Sequence, residues 1–443
     1  MHRPQGALWS HRDFMKLWTG QTISEFGSQI SNLAIPLLAA ISLHATAFQF
    51  SALGVLNFLP FILFALPAGV WVDRLRRRYI LIVGDAARCV LLGLIPVLWA
   101  LGVLQMWHLL VLSFVIGIFT VFFDVAYQSY LPALIEREDL VDGNSKLQLT
   151  VSISQVAGPS VAGALIAAVT APYAIVADAA SYVVSTAFML RMRHRENVPE
   201  HTDEAPRPKM WPQVKEGLNW VVRHPWLRSI SACTGTSNFF SSVIFSIFAL
   251  YMVRTLGLSP LEIGFVFGVG SAGSIVGALV TNRLNTWIGV GPTILATIGT
   301  SSLAGLCYPL APRSFPLPLL MLGGAMFGFG SVSYNITQIS LRQAITPERL
   351  QGRMNAAMRW IVWGTIPLGT LLGGGLATWY GLRTAIWVGA VGQVFAVTPV
   401  AIGSVRKVKT MPEPVEEPTP AEAELEGGLL EPQPLAGPAA ADL

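Results

Sequence analysis

About a dozen apolar segments, each long enough to cross a bilayer, follow one another along this chain from about Phe14 to Val405. A membrane-spanning helix needs about 20 mostly apolar residues, and stretches such as 107–130 and 314–339 reach that length with almost no charge. Only 12% of the residues are charged and 53% are hydrophobic, which is unlike a soluble globular domain. The sequence therefore predicts an all-α membrane protein with about 12 transmembrane helices in the lipid bilayer.

The expected helix boundaries follow from the apolar runs and the polar residues between them. They lie near residues 14–42, 48–72, 79–101, 107–131, 145–170, 173–192, 227–254, 260–282, 291–311, 316–341, 353–378 and 383–405. This pattern predicts two six-helix bundles, over residues 1–192 and 226–405. A charged cytoplasmic linker over 193–225 separates them, and its part from Trp211 to Val222 has the spacing of an amphipathic helix. An acidic cytoplasmic tail over 406–443 is expected to lack stable structure.

The two halves carry matching residues at one offset. Gly69 matches Gly277 and Pro159 matches Pro367, both 208 residues apart. Six helices, a linker and six more helices is the organisation of transporters built from parallel repeats. We therefore expect two pseudo-symmetric bundles that can rock about a central site.

The distribution of basic residues predicts the orientation, because cytoplasmic loops retain Lys and Arg. Of the 29 Lys and Arg residues, 24 lie in the termini, the linker and alternate loops that fall on one side. The opposite side has only Arg254, Arg313 and Arg383. Both termini are expected to face the cytoplasm, and the protein to be a multi-pass protein of the bacterial cytoplasmic membrane.

Patterns typical of enzymes do not occur in the sequence. It has no HExxH, nucleophile elbow or phosphate-binding loop. The GxGxxG that begins at Gly268 lies inside an apolar span without the strand that a dinucleotide site requires, so it predicts close helix packing. The three cysteines lie singly in apolar segments. We expect no enzymatic activity, no cofactor, no metal and no nucleic-acid partner.

The sharpest local motif, GVWVDRLRRR, begins at Gly69 at the cytoplasmic end of the second span. It resembles motif A of the major facilitator superfamily, GxLaDRxGRR in outline. The match retains Gly69, Asp73, Arg74, Arg77 and Arg78, whereas Trp71 and Arg76 depart from the motif. The resemblance implies a cytoplasmic gate in which the arginines pair with carboxylates of the other half. The alternative is a basic loop that only sets topology.

A second segment, Gly158-Pro159-Ser-Val-Ala162-Gly163, is similar to the GPxxGG core of the antiporter motif of this superfamily. Proline removes a helical hydrogen bond and glycine allows close packing. Longer segments beginning at Phe122 and Leu341 resemble the branch that contains siderophore exporters and macrolide efflux proteins. The resemblance implies a monomeric exporter.

Charged groups inside a membrane cost at least about 2.5–3.5 kcal/mol at its centre, so each needs a partner, a wet cavity or a proton. Asp124 and Glu25 lie in the fourth and first spans and are expected in the cytoplasmic half of the membrane. Desolvation favours the protonated carboxyl group. We therefore expect Asp124 first, and Glu25 second, to couple transport to protons.

Other polar residues in the spans are candidates for supporting roles. Asp85 and Arg88 have the spacing of an ion pair on one helix face, and Arg359 is a candidate for pairing with a carboxylate across the halves. Asp178 is expected to cap a helix or to hydrogen-bond. Polar residues expected to contact substrate in the cavity are Asn238, Asn335 and Gln338.

Together these features predict a secondary active transporter that exports a small amphipathic compound, such as a drug, a macrolide-like metabolite or a siderophore, in exchange for protons. A proton-coupled importer or uniporter of the same fold is an alternative. A lipid-handling or sensory membrane protein is an alternative from another class.

Overall fold

The computed structural model describes residues 8, 11–72, 75–136, 139–192 and 210–412, and every regular element in these ranges is helical. The α-helices are α1 (Arg12–Leu37), α2 (Ala47–Val72), α3 (Arg77–Ala100), α4 (Met106–Leu134), α5 (Leu140–Val169), α6 (Ala171–Leu190), α7 (Met210–Arg223), α8 (Pro225–Arg254), α9 (Pro260–Trp287), α10 (Val290–Leu310), α11 (Leu317–Ala344), α12 (Glu348–Trp363), α13 (Thr365–Tyr380), α14 (Leu382–Phe395) and α15 (Thr398–Ile402). A π-helix (Leu38–Ser42) continues α1. The predicted all-α class is confirmed.

Eleven stretches of the described chain are long and apolar enough to cross a membrane. Two of them, Leu350–Tyr380 and Leu382–Ile402, combine α12 with α13 and α14 with α15. The twelfth expected crossing is α1. Its 26 residues are long enough to cross a membrane, but polar residues such as Glu25 and Gln29 lower its mean hydropathy. Since α1 packs against α5 and α6 inside the bundle, these polar groups find protein partners.

The last two crossings are interrupted, which the sequence analysis did not predict. A proline ring clashes with the carbonyl group four residues earlier and cannot donate a hydrogen bond to it. Pro367 stands four residues after Trp363, where α12 ends, and Pro399 stands four residues after Phe395, where α14 ends. Each helix therefore ends at the residue whose carbonyl group would have accepted a hydrogen bond from the N–H group that proline lacks.

The helices pack mainly within the two halves of the chain, α1–α6 and α8–α15. In the first half, α1 packs against α5 and α6, and α3 against α4 and α6; in the second, α11 packs against α9 and α10, and α8 against α13 and α14. The largest contacts between the halves are α5 with α9 and α2 with α13. Gly273, in the GxGxxG segment, lies where an added Cβ would be 2.3 Å from the carbonyl oxygen of Ala325 on α11, which agrees with the packing role predicted for it.

The apolar core differs between the two ends of the bundle. At the end that carries the loops at 43–46 and 255–259, one cluster joins both halves, with Leu37 and Phe50 of the first half and Ile247 and Tyr251 of the second. At the opposite end, where the linker and the described terminal segments lie, each half has its own cluster. Among the described residues, the halves therefore share a buried apolar core at one end only.

The predicted amphipathic segment of the linker is a helix, α7, and it packs against α12. Val221 is fully buried, and Glu216 forms an ion pair with Arg353 of α12. The side chains of Trp211 and Val214 lie outside the described ones. Leu218 is exposed. In the described part of α7, one apolar residue, Val221, is therefore buried against the bundle, and another, Leu218, lies on the outer surface. Contact of this helix with the membrane surface stays a prediction.

The start of the expected tail is ordered, which moves the predicted boundary at residue 406. The backbone N–H groups of Val290 and Gly291 donate to the carbonyl oxygens of Lys409 and Val408, at 3.2 and 2.7 Å. The first N–H groups of a helix lack intrahelical acceptors, so this segment satisfies the N-terminus of α10. Residues 413–443 lie outside the described ones.

Candidate transport site

A buried ion pair lies near the middle of α3. Arg88 donates a hydrogen bond to Asp85, three residues earlier, and Ser185 of α6 donates to the other carboxylate oxygen of Asp85 at 2.6 Å. The expected pair is therefore present. Two side chains from two helices, Arg88 of α3 and Ser185 of α6, hold the carboxylate of Asp85 in place.

Aromatic rings enclose the same guanidinium. Its central carbon lies 4.0 Å from the ring centroid of Phe123 on α4 and 4.5 Å from that of Tyr182 on α6. The hydroxyl of Tyr182 is 2.9 Å from that of Ser28 on α1. A desolvated cation over an aromatic face is attracted by its quadrupole. Arg88 is thereby fixed among four helices of the first half.

The two predicted proton-coupling residues lie beside this arginine. Glu25 accepts hydrogen bonds from Gln29 and from Ser154 of α5, both at 3.4 Å. Asp124 lies within electrostatic range of Glu25 and Arg88. Both acidic side chains are half-buried. Because α4 extends to Leu134, Asp124 lies ten residues from its end and nearer the middle of the helix than expected.

Asp178 adds a fourth carboxyl group. It is 1% exposed, accepts a hydrogen bond from Ser181 at 3.2 Å and lies within electrostatic range of Arg88. The predicted hydrogen-bonding role is therefore present. Gly27 of α1 makes room for it, since an added Cβ would lie 2.6 Å from the Asp178 carboxylate.

These side chains form one group, which we call the acidic cluster and which consists of Glu25, Asp85, Arg88, Asp124 and Asp178. Four carboxyl groups share one guanidinium, and that guanidinium already pairs with Asp85. One positive charge balances one negative charge, and an isolated buried ion costs several kcal/mol. The cluster can therefore reach neutrality when protons or a cation occupy the remaining carboxyl groups, whereas water that reaches them only solvates their charge.

The second half contains a cavity of about 550 Å³ between α8, α10, α11 and α12, which we call the C-half cavity. All three predicted substrate-contact residues, Asn238, Asn335 and Gln338, line it. Asn238 donates to the carbonyl oxygen of Val362 at 3.2 Å, and Gln338 donates to Asn335 at 3.3 Å. Their remaining polar atoms can contact a bound molecule.

Arg359 also lines the C-half cavity. Its guanidinium carbon is 5.4 Å from the ring centroid of Trp363, one turn further along α12. No carboxylate among the described residues lies within ion-pair distance of Arg359, so the expected pairing across the halves is not seen.

The gate motif is described only in part. Asp73 and Arg74 lie outside the described residues, and Gly69 lies in α2. Arg77 donates to the carbonyl oxygen of Ser129 at 2.9 Å, and Arg78 donates to that of Leu190 at 3.0 Å. These contacts connect the arginines to α4 and α6 of their own half. Pairing with the second half stays a prediction.

The antiporter-like segment lies at the contact between the halves. An added Cβ on Gly163 would lie 3.0 Å from the Cα of Gly264 on α9, and one on Gly264 would lie 2.5 Å from the carbonyl oxygen of Pro159. Gly158 faces Gln29 of α1. The three residues of this segment therefore allow α5 to approach both α1 and α9.

Sequence reasoning missed three members of these sites. Tyr182 and Ser185 hold the ion pair of α3, and Arg342 lines the C-half cavity. Tyr182 and Ser185 follow Asp178 on one face of α6, a spacing that could have indicated them. Arg342 was counted among the cytoplasmic loop residues, and only its position in α11 shows that it reaches the cavity.

Eleven apolar stretches of the described chain that can cross a membrane, a cavity within the second half and a buried charged cluster within the first indicate a membrane transporter rather than an enzyme. The sequence profile of the Major Facilitator Superfamily matches residues 17–366, with a second match over residues 230–437. The chain belongs to this superfamily, as its motifs predicted.

Relatives of known sequence agree with that assignment. The chain is 26% identical to the uncharacterized MFS-type transporter YfiS of Bacillus subtilis, over 86% of this chain and 90% of that protein. It is 26% identical to the multidrug efflux pump Tap of Mycolicibacterium fortuitum, over 81% and 87% of the two chains. It is 24% identical to the enterobactin exporter EntS of Escherichia coli, over 79% and 81%. The expected resemblance to a branch of exporters and efflux proteins is confirmed.

Solved structures share the fold. A bacterial homologue of the human lysosomal transporter Spinster, in an inward-facing and unoccupied conformation, aligns with a TM-score of 0.66 at 13% identity, over 90% of this chain and 97% of that one. The predicted major facilitator fold is therefore confirmed.

Proposed function

We propose that this chain exports a small amphipathic compound across the bacterial cytoplasmic membrane in exchange for protons. The observation that carries the proposal is the acidic cluster, in which four carboxyl groups share one arginine inside the first bundle. The names of two relatives, a multidrug efflux pump and an enterobactin exporter, support export as the direction. We propose that the protein acts as a monomer, with residues 1–192 and 226–405 as its two moving units.

Asp124 and Glu25 are the proton-carrying groups in this proposal. Both are half-buried beside Arg88, whereas Asp85 and Asp178 are 0% and 1% exposed. A half-buried carboxyl group can exchange a proton with water whenever the cavity beside it opens. Asp85 and Arg88 then form a fixed ion pair, and Arg88 holds the other carboxyl groups of the cluster around it.

The positive-inside rule supports the orientation, since 24 of the 29 basic residues fall on the side of the linker. With this orientation the end that shares an apolar core faces outward, and the described state is inward-facing. Gly158, Pro159 and Gly163 then contribute to the outer closure. The motif of Gly69, Asp73, Arg74, Arg77 and Arg78 then forms the inner gate when the halves rock.

The driving force is sufficient for uphill export. The membrane potential supplies about 2.3 kcal/mol per charge per 100 mV. One inward proton could therefore support roughly a fiftyfold gradient of a neutral substrate, since about 1.36 kcal/mol corresponds to a factor of ten.

The experiment that tests the proposal measures proton movement in proteoliposomes that contain a pH-sensitive dye. Addition of substrate on the side of the linker should move protons in the opposite direction to the substrate. Protons that move with the substrate would identify an importer of the same fold, and substrate movement without protons would identify a uniporter. Failure of every tested compound to cross would favour a lipid-handling or sensory protein.

A further inference from the structure

The C-half cavity contains positive charge without any negative charge. Its 18 lining residues include two arginines, Arg342 and Arg359, and no Asp, Glu, Lys or His. The carboxyl groups of the acidic cluster belong to the other half of the molecule. The two sites therefore differ in charge: carboxyl groups outnumber the single arginine in the acidic cluster of the first half, and the C-half cavity has two arginines and no carboxyl group.

Neither guanidinium has a counter-ion within the part of the chain that the structure describes. The Nε atom of Arg342 is buried and has no hydrogen-bond partner among the described residues, and the exposed guanidinium of Arg359 lies 5.4 Å from the ring centroid of Trp363. An unpaired charge inside a membrane protein is costly and is found where a substrate or ion pathway passes. Guanidinium groups match carboxylate and other planar oxyanions by two parallel hydrogen bonds.

The other walls of the cavity define the rest of the ligand. Gln338 is 2% exposed, and its side-chain carbonyl oxygen is buried without a donor among the described residues. Phe327 and Tyr334 of α11 and Trp363 of α12 add aromatic side chains to the lining. A ligand that fits these groups has a planar ring system, an oxyanion and one N–H or O–H donor.

We propose that the C-half cavity binds a planar aromatic anion, with Arg342 and Arg359 as its counter-charges. This inference rests on the proposed function in one respect, because it takes the cavity to be the substrate site of the transporter. It names the substrate class: aromatic acids and phenolates, in contrast to the lipophilic cations that an acidic cavity would select.

The test uses two dyes with the same three-ring xanthene skeleton and opposite charge. Fluorescein is anionic and tetramethylrhodamine methyl ester is cationic, and fluorescence anisotropy measures the binding of each to the purified full chain in detergent. Hydrogen bonds to charged groups predict that fluorescein binds at least about tenfold more tightly, and that Arg359→Gln weakens fluorescein binding by about tenfold or more. Arg359→Lys should retain part of the affinity.

Control variants separate charge from folding. Arg283→Gln removes an exposed arginine of α9 that does not line the cavity, and it should leave both affinities unchanged. Arg342→Gln should weaken fluorescein binding as Arg359→Gln does; if it does not fold, the exposed Arg359 still decides the result. Equal or tighter binding of the cation, absent fluorescein binding, or fluorescein binding that neither glutamine variant weakens would overturn the inference.

Flux measurements distinguish this inference from the proposed function. Proton-coupled export of the cationic dye alone would support the transporter and overturn the anion site. Arginine-dependent fluorescein binding without any proton-coupled flux would support the site and contradict the proposed function.

Discussion

Arg88 and Asp85 form an ion pair on one face of α3, and both side chains are buried, with 6% and 0% exposure. The pair does not stand alone, because Glu25, Asp124 and Asp178 lie within electrostatic range of the same guanidinium. The charge of Arg88 therefore acts on every carboxyl group of the acidic cluster. A change at either member of the pair should affect folding as well as transport.

We predict strong coupling between the two members of this pair. Arg88→Gln should lower the free energy of unfolding by about 3–5 kcal/mol, because it leaves Asp85 buried without its counter-ion. Asp85→Asn should lower it less, because three other carboxyl groups lie within electrostatic range of Arg88. The double variant should be more stable than the sum of the single effects predicts. Denaturant unfolding of the purified protein in mixed micelles provides the four values. If the effects of the two single variants on the free energy of unfolding are additive, the interaction between Asp85 and Arg88 does not contribute to stability.

Asp124→Asn should separate proton coupling from substrate movement. Asparagine has nearly the shape of aspartic acid but carries no exchangeable acidic proton, so proton-driven export should be lost while the fold and membrane insertion are retained. Exchange of labelled for unlabelled substrate needs no net proton transfer and should continue. The matched control is Asp142→Asn, which removes a carboxylate that pairs with Lys146 at the start of α5. Full proton-driven export by the Asp124 variant would remove this residue from the mechanism.

Gly264→Ala should weaken the contact between the halves. The added Cβ would lie 2.5 Å from the carbonyl oxygen of Pro159 and 3.0 Å from the Cα of Gly163, and neither backbone can yield without moving a helix. Overpacking of this kind costs typically about 1–3 kcal/mol. Gly299→Ala is the control, since nothing lies within 4 Å of its added Cβ, and it should be neutral or stabilising. Thermal unfolding in detergent measures both, and equal midpoints would contradict the predicted contact.

The sequence predicted the architecture well because hydrophobic length is a local property. Apolar runs located the membrane helices within a few residues, and charge between them located α7. The first crossing, α1, was predicted although polar residues such as Glu25 and Gln29 lower its hydropathy. The interruptions before Pro367 and Pro399 were missed although proline spacing could have indicated them.

The candidate sites were predictable only in part, since they depend on how each helix is rotated and packed. The sequence singled out isolated polar residues in apolar spans, and the structure places three of them, Asn238, Asn335 and Gln338, on one cavity. The enclosure of Arg88 by Phe123 and Tyr182 brings together three helices whose relative rotation no single-chain pattern fixes. The role of Arg342 was missed for the same reason.

His224, between α7 and α8, should make stability depend on pH. Burial between the rings of Trp220 and Trp226 lowers the pKa of His224 below its ordinary value of 6.5. The folded state therefore favours the neutral ring, and the unfolded state gains protons first as the pH falls below about 6.5, so stability is lost in that direction.

The measurement is the melting temperature between pH 8 and pH 5 for the natural chain and for His224→Gln. The variant should lose less stability on acidification. His44→Asn, a change in an exposed loop, should follow the natural chain. Parallel curves for the natural chain and His224→Gln would contradict the prediction.

The charge of the substrate should appear in the voltage dependence of export. If one proton enters while one monoanion leaves, two charges cross the membrane per cycle, and a potential of 100 mV supplies about 4.6 kcal/mol, twice the value for one charge. Exchange of one proton for one monocation moves no net charge and should ignore the potential. Efflux of naphthalene sulfonate, a permanent monoanion, can be followed in proteoliposomes with a valinomycin-imposed potassium potential. An anion site predicts that reversal of the potential slows this efflux strongly, and a rate independent of the potential would rule out an electrogenic exchange.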